Sequence, residues 1–238
     1  MTRGLCRRRL PDNRKKAAMQ LDPQSLPNPR TLGNRAMALA MLDAIICPEF
    51  QYRYFSYDAN WGSGEQVAVM RNGDGDHWFL HMSNSGAVIK GYVQELPRGE
   101  SRVMALEVQR RVPEQFGAFL HEPAFAMDAV SYFYYRRGSD LAWSRVAHPD
   151  VGLAKWSDGS ADYLSILLAP ASCYYDYATD YFECEPPLLS IEHIYALAPL
   201  TAAIVKSLNP QMTLDQARAA ADAIGYPARA AARATLAC

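Results

Sequence analysis

"MRNGDGDHWFLHM", residues 70–82, decides how the chain is read, because aspartates and glycines between apolar stretches mark either a cation loop or a turn joining two strands. A calcium loop needs oxygen ligands at its first, third, fifth and twelfth positions and glycine at the sixth. Counted from Asn72, Asp74 and Asp76 fall in phase, but His77 stands in the glycine's place and Ser83 in the last ligand's. Asn and Gly tolerate positive φ, and Asp bonds nearby backbone, so the letters suit a hairpin turn. No metal site is expected.

Working outward, segments rich in Tyr, Val and Ile at about 50–57, 65–71, 77–82 and 87–94 alternate with the turn-forming connections "DANWGSG", "NGDGD" and "SNSG". That pattern predicts an antiparallel meander. A further hairpin pairs 130–136 with 141–146 across "RGSD". Upstream, apolar spacing predicts a helix over 35–47, ended by Pro48, after a proline-containing linker over 19–34. Downstream, Pro113 opens a short helix, and helices follow to about 168, over 171–184, and in two proline-bounded stretches. A last helix carries capping-box spacing at Thr213 and Gln216 and a stop at Gly225. The fold class is α+β: a β-meander sheet in the N-terminal half with a C-terminal run of helices packed on one side of it. Residues 1–34 read as a basic, flexible tail, 35–226 as a single domain and 227–238 as an alanine-rich tail.

Charge is unevenly placed. Residues 1–35 hold nine Lys or Arg and two acids, which leaves fifteen basic and twenty-three acidic residues in the body. The head suits a solvated or upstream extension, with Met19 as an alternative start, better than a nucleic-acid arm, since no aromatic residue interleaves its arginines. Five cysteines without a CxxC pair suit a reducing cytoplasm, not a disulfide or zinc framework. The longest apolar run, "AMALAMLDAII", is broken by Asp43 and too short to span a bilayer. "NWGSGEQV" has Val67 where a dinucleotide fingerprint needs glycine, and GxxxxGK[ST], HExxH and GxSxG are absent. No cofactor is expected.

On a strand His77 and His81 share a face with Phe79, opposite Trp78 and Leu80. On a helix "CYYDYATDYFECE" puts Tyr174 and Tyr177 in one stripe and Asp176, Asp180 and Glu183 in another. The stripes read either as core backed by a solvated face or as an acidic, tyrosine-rich patch for a basic protein.

Together, WGxGE at 61–65, MRNGxGDxW at 70–78, KGxxxExP at 90–97 and EPAF at 122–125 resemble an uncharacterised bacterial family of single-domain proteins. The likeness rests on Trp61, Gly62, Glu65, Met70, Arg71, Asn72, Gly73, Gly75, Asp76, Trp78, Gly91, Glu95, Pro97, Glu122, Pro123 and Phe125, and it implies no known reaction. Gln94 stands where the pattern leads us to expect histidine. From the acidic body and the tyrosine-rich segment, the expected function is protein binding, in the manner of an immunity protein that neutralises a basic toxin or effector. The alternatives are a small hydrolase or transferase with a pocket of Trp61, Glu65, Arg71, Asp76, Glu95 and Glu122, and a nucleic-acid-associated protein acting through the arginine-rich head.

Overall fold

The computed structural model describes residues 20–96, 99–150 and 157–227; the arginine-rich head, Met19 and the tail beyond Pro227 lie outside them. Among the described residues six antiparallel strands pair in sequence order: β1 (Phe55–Gly62), β2 (Glu65–Arg71), β3 (His77–Ser83), β4 (Gly86–Tyr92), β5 (Tyr132–Arg137) and β6 (Ser144–Arg145). The opening stretch is a hairpin. Gly73 and Gly75 take φ of 78° and 108°, and the backbone closes with Asn72 N donating to Asp76 O at 3.2 Å. Asn72 Oδ1 accepts from the backbone N–H of Asp74 (2.9 Å) and of Asp76 (3.1 Å), the local bonding that favours asparagine in turns. Register then puts Trp78 opposite Met70, and Lys90 between Phe79 and Phe133.

The first helix, α1 (Pro29–Ile46), starts six residues before the position expected. Pro29 is its first residue and Asn28 its cap, accepting from Thr31 N, so a proline read as extended linker instead opens a helix. The segment before it is also built into the fold. Leu26 is buried, Trp143 Nε1 donates to Pro27 O at 2.7 Å, and Tyr134 Oη donates to Leu21 O at 2.8 Å. Strand β1 lies further along than expected, because residues 50–52 form a 3-10 turn and the strand runs through "DANWG" with a register irregularity between Asp58 and Gly62.

Helices cover both sheet faces, where one covered side was expected. On one face α2 (Glu100–Arg111), α3 (Gly117–His121) and 3-10 turns at Glu114–Phe116 and Pro123–Phe125 enclose Val67, Phe79, Val88 and Phe133. On the other face α1 packs with α4 (Ser160–Tyr163), α5 (Ser165–Leu168), α6 (Ser172–Phe182), α7 (Leu188–Tyr195), α8 (Ala202–Leu208) and α9 (Leu214–Ile224). They bury Met70, Trp78, Leu80, Ile89, Tyr132 and Tyr134. No described helix is long and apolar enough to cross a membrane.

Candidate functional site

Strand β1 is the edge of the sheet, and α2 and α3 do not cover its neighbourhood completely. A pocket of about 320 Å³ opens there, with Val67, Val69 and Phe79 from β2 and β3, Trp61 and Ser56 from β1, Phe50, Arg71 and Phe125 around it. Its aromatic wall is built in steps. The Pro123–Phe125 turn is capped by Glu122, whose Oε1 accepts from Ala124 N at 3.1 Å, and it ends in a left-handed Ala126. That turn holds Phe125 stacked on Phe119 at 4.1 Å and edge-on to Phe79 at 5.3 Å. Trp61 then lies 5.6 Å from Phe125, and the Arg71 guanidinium sits 5.5 Å from the Phe79 ring centre. A cation held against a ring face, itself exposed, gives the pocket an anchor for a hydrogen-bond acceptor beside an apolar floor.

Two histidines stand in the row behind. Glu65 Oε2 is 3.4 Å from His81 Nε2, and burial pushes the His81 pKa down while Glu65 draws it up. His81 Nδ1 is buried without a hydrogen-bond partner, and its ring packs 5.5 Å from Phe119 and 5.7 Å from Phe125. His77 Nδ1 lies 3.0 Å from Gly75 O, a contact that requires a proton on that nitrogen. Its Nε2 therefore accepts from Lys90 Nζ at 2.8 Å. Lys90 is fully buried, and its pKa falls to about 7, chiefly through desolvation and secondarily through Arg71, with Asp128 acting the other way. His77 falls to about 4 for the same leading reason, helped by the Lys90 charge.

The pocket gathers only part of the set read from the sequence. Trp61 and Arg71 line it, Glu122 supports its wall through a cap, and Glu65 reaches His81 beside it. Asp76 is engaged elsewhere: its carboxylate accepts from Asn72 Nδ2 (2.8 Å), Gln94 N (2.9 Å) and the Tyr163 hydroxyl. Gln94, in the position where histidine was expected, ties the same turn by donating its amide to Asp74 O. Glu95 lies toward Tyr163, whose hydroxyl it helps to hold protonated. Trp78 is core, with Nε1 donating to Tyr163 O at 3.1 Å. None of the four acids read from the sequence, Glu65, Asp76, Glu95 and Glu122, lines the pocket, whereas Asp58, which sequence reasoning did not single out, does.

Tyr174 and Tyr177 are corrected to interior residues. Both are buried, and they donate to Asp43 Oδ1 at 2.8 Å and Asp43 Oδ2 at 3.4 Å, on the sheet face opposite the pocket. Asp176 and Asp180 remain exposed on the outer side of α6. Sequence reasoning missed the roles of Phe79 and Lys90 here, and only the alternation along "HWFLH" and "AVIKG" pointed to them. Among the described residues no group of three or more His, Cys, Asp or Glu is placed to hold a metal ion. No family model, curated protein or solved structure matches the chain.

Proposed function

We propose that the protein is a binding protein that engages another protein at the β1 edge. The observation that carries this reading is the grouping of solvent-facing aromatic side chains there: Phe50 is 63% exposed, Tyr52 53% and Trp61 39%, and Phe50 and Trp61 line the pocket. Large aromatic side chains and arginine are the residue types enriched where proteins meet, and they dominate the energetics of such contacts. The Tyr181 hydroxyl donates to Tyr52 O at 2.9 Å and ties the backbone of this aromatic segment to the end of α6. Asp58 also lines the pocket, and a carboxylate beside an aromatic centre favours a partner that offers a basic group next to apolar side chains. In its finer form the partner is a basic toxin or effector and the protein its immunity factor.

The test is calorimetric titration of the full chain with the product of the neighbouring gene. Trp61→Ala and Phe50→Ala are expected to weaken the complex by at least about tenfold, about 1.4 kcal/mol each. Asp58→Asn is expected to slow association and reduce its dependence on salt. Absence of a complex, or a complex indifferent to both aromatic substitutions, overturns the reading.

A further inference from the structure

The pocket at the β1 edge has two ends of opposite charge as well as an aromatic wall. Alternation along the strands decides which side chains enter it. Ser56 and Asp58 pair with Val69 and Val67, and Val69 pairs in turn with Phe79, so these five side chains share the sheet face that carries Val88 and Phe133. Arg71 stands two residues beyond Val69 on the same strand, and its guanidinium lies 5.5 Å from the Phe79 ring centre, over the same face. All of them line the pocket.

Among the described residues neither Arg71 nor Asp58 takes part in an ion pair, although both look into one cavity. Beyond burial, the Arg71 charge adds to what lowers the pKa of Lys90 and of His77, and an anion brought to Arg71 offsets that repulsion. Asp58 Oδ1 accepts from Asn60 N at 2.7 Å, which leaves Oδ2 for a second donor. The two charges are well separated. Arg71 is four residues from Val67, the partner of Asp58, or about 13 Å of strand, and its lean over Phe79 closes part of that gap. A free amino acid holds its ammonium and carboxylate one carbon apart and cannot reach both ends. Two extended residues span about 7 Å, and a charge-assisted hydrogen bond of about 2.8 Å at each end completes the distance. Ser56, opposite Val69, sets a hydroxyl between the two charges, where a central peptide group would lie. The volume of about 320 Å³ falls in the lower part of the range for small-molecule sites.

We propose that this pocket binds a small zwitterion of the free dipeptide class, its carboxylate on Arg71, its ammonium on Asp58 and its apolar side chains against Phe79, Phe125 and Trp61. The proposal goes beyond the protein-binding reading, with which it shares Trp61. Leucyl-phenylalanine titrated calorimetrically into the full chain, with no partner present, is expected to give saturable one-to-one heat. Arg71→Gln and Asp58→Asn should each weaken it by about tenfold, with thermal melting of each variant confirming the fold. N-acetylation of the dipeptide should make its affinity indifferent to Asp58→Asn, and C-terminal amidation should make it indifferent to Arg71→Gln. Absence of saturable heat overturns the proposal. So does equal affinity for the dipeptide blocked at both ends, which marks an apolar contact only, or for free leucine, which needs one charged end alone. Either failure leaves the protein-binding reading standing, because that reading is measured with the partner and without the dipeptide.

Discussion

Asp43 interrupts the most apolar helix of the chain, and four donors explain why it is there: the backbone N–H groups of Tyr54 (3.0 Å) and Phe55 (2.9 Å) and the hydroxyls of Tyr174 and Tyr177. The carboxyl thereby links α1, the start of β1 and α6 through one buried group. Burial lifts its pKa to about 7, although the hydrogen bonds from Phe55, Tyr174 and Tyr54 and the Arg53 charge pull the other way. The folded state therefore holds this proton more tightly than the unfolded chain, so the Asp43 contribution to stability declines as pH rises from about 4 through about 7. His77, with its pKa depressed to about 4, acts oppositely over much of that window. The difference between the native protein and Asp43→Asn isolates the first effect. Asp43→Asn should cost about 2 kcal/mol in urea unfolding near pH 5, because its amide turns a donor toward donors, and the cost should shrink toward pH 8. Lys90 supplies a second test. Its ammonium is buried between Phe79 and Phe133, and stability should rise as pH passes about 7 toward the ordinary lysine value. In Lys90→Met this rise in stability between about pH 7 and the ordinary lysine value should disappear in the same unfolding experiment.

At the scale of elements, close backbone approach fixes register where side chains alone would not. A Cβ on Gly91 would lie 1.9 Å from Tyr132 Cζ, directly across the β4–β5 pair. Gly91→Ala should lose about 2 kcal/mol or more through overpacking of this buried tyrosine, read as a lower urea midpoint at unchanged slope. Strands β2, β3 and β4 were legible because turn residues bracket short apolar runs, and α9 because Thr213 and Gln216 form both bonds of the capping box before Gly225 ends it in the left-handed region. The start of α1 was hidden by prolines on both sides of Asn28, which serve equally for a linker and for a helix entrance. Helix α2 was missed because "ESRVMALEVQRR" is dominated by charge. The signal lay in Met104 and Val108, four residues apart and buried, and in Glu107, which pairs with Arg110 at 2.8 Å and Arg111 at 2.7 Å.

For the whole molecule, the unexpected feature is the second covered sheet face. Val67, Phe79, Val88 and Phe133 project to it while their neighbours in sequence fill the other core, so the strands read as nearly continuous apolar runs, the signature of a sheet enclosed on both sides. The histidine and lysine on that face disguised it as a wet surface, since nothing in a linear pattern shows that His77 and Lys90 satisfy each other. The candidate site was legible in its aromatic and cationic members, Trp61 and Arg71, but not in its acids, because only the folded turn reveals that Asp76 serves Tyr163, Asn72 and Gln94.

Every strand pairs with its neighbour in sequence, whereas α1 packs on α7 and α9, which come some 150 residues and more later. During translation the hairpins can zip one after another as they leave the ribosome, but the groove around α1 closes only when the last helices emerge. Nascent chains stalled before residue 188 should accordingly present a formed sheet with the α7- and α9-facing side of α1 bare, the kind of greasy intermediate that holdase chaperones capture.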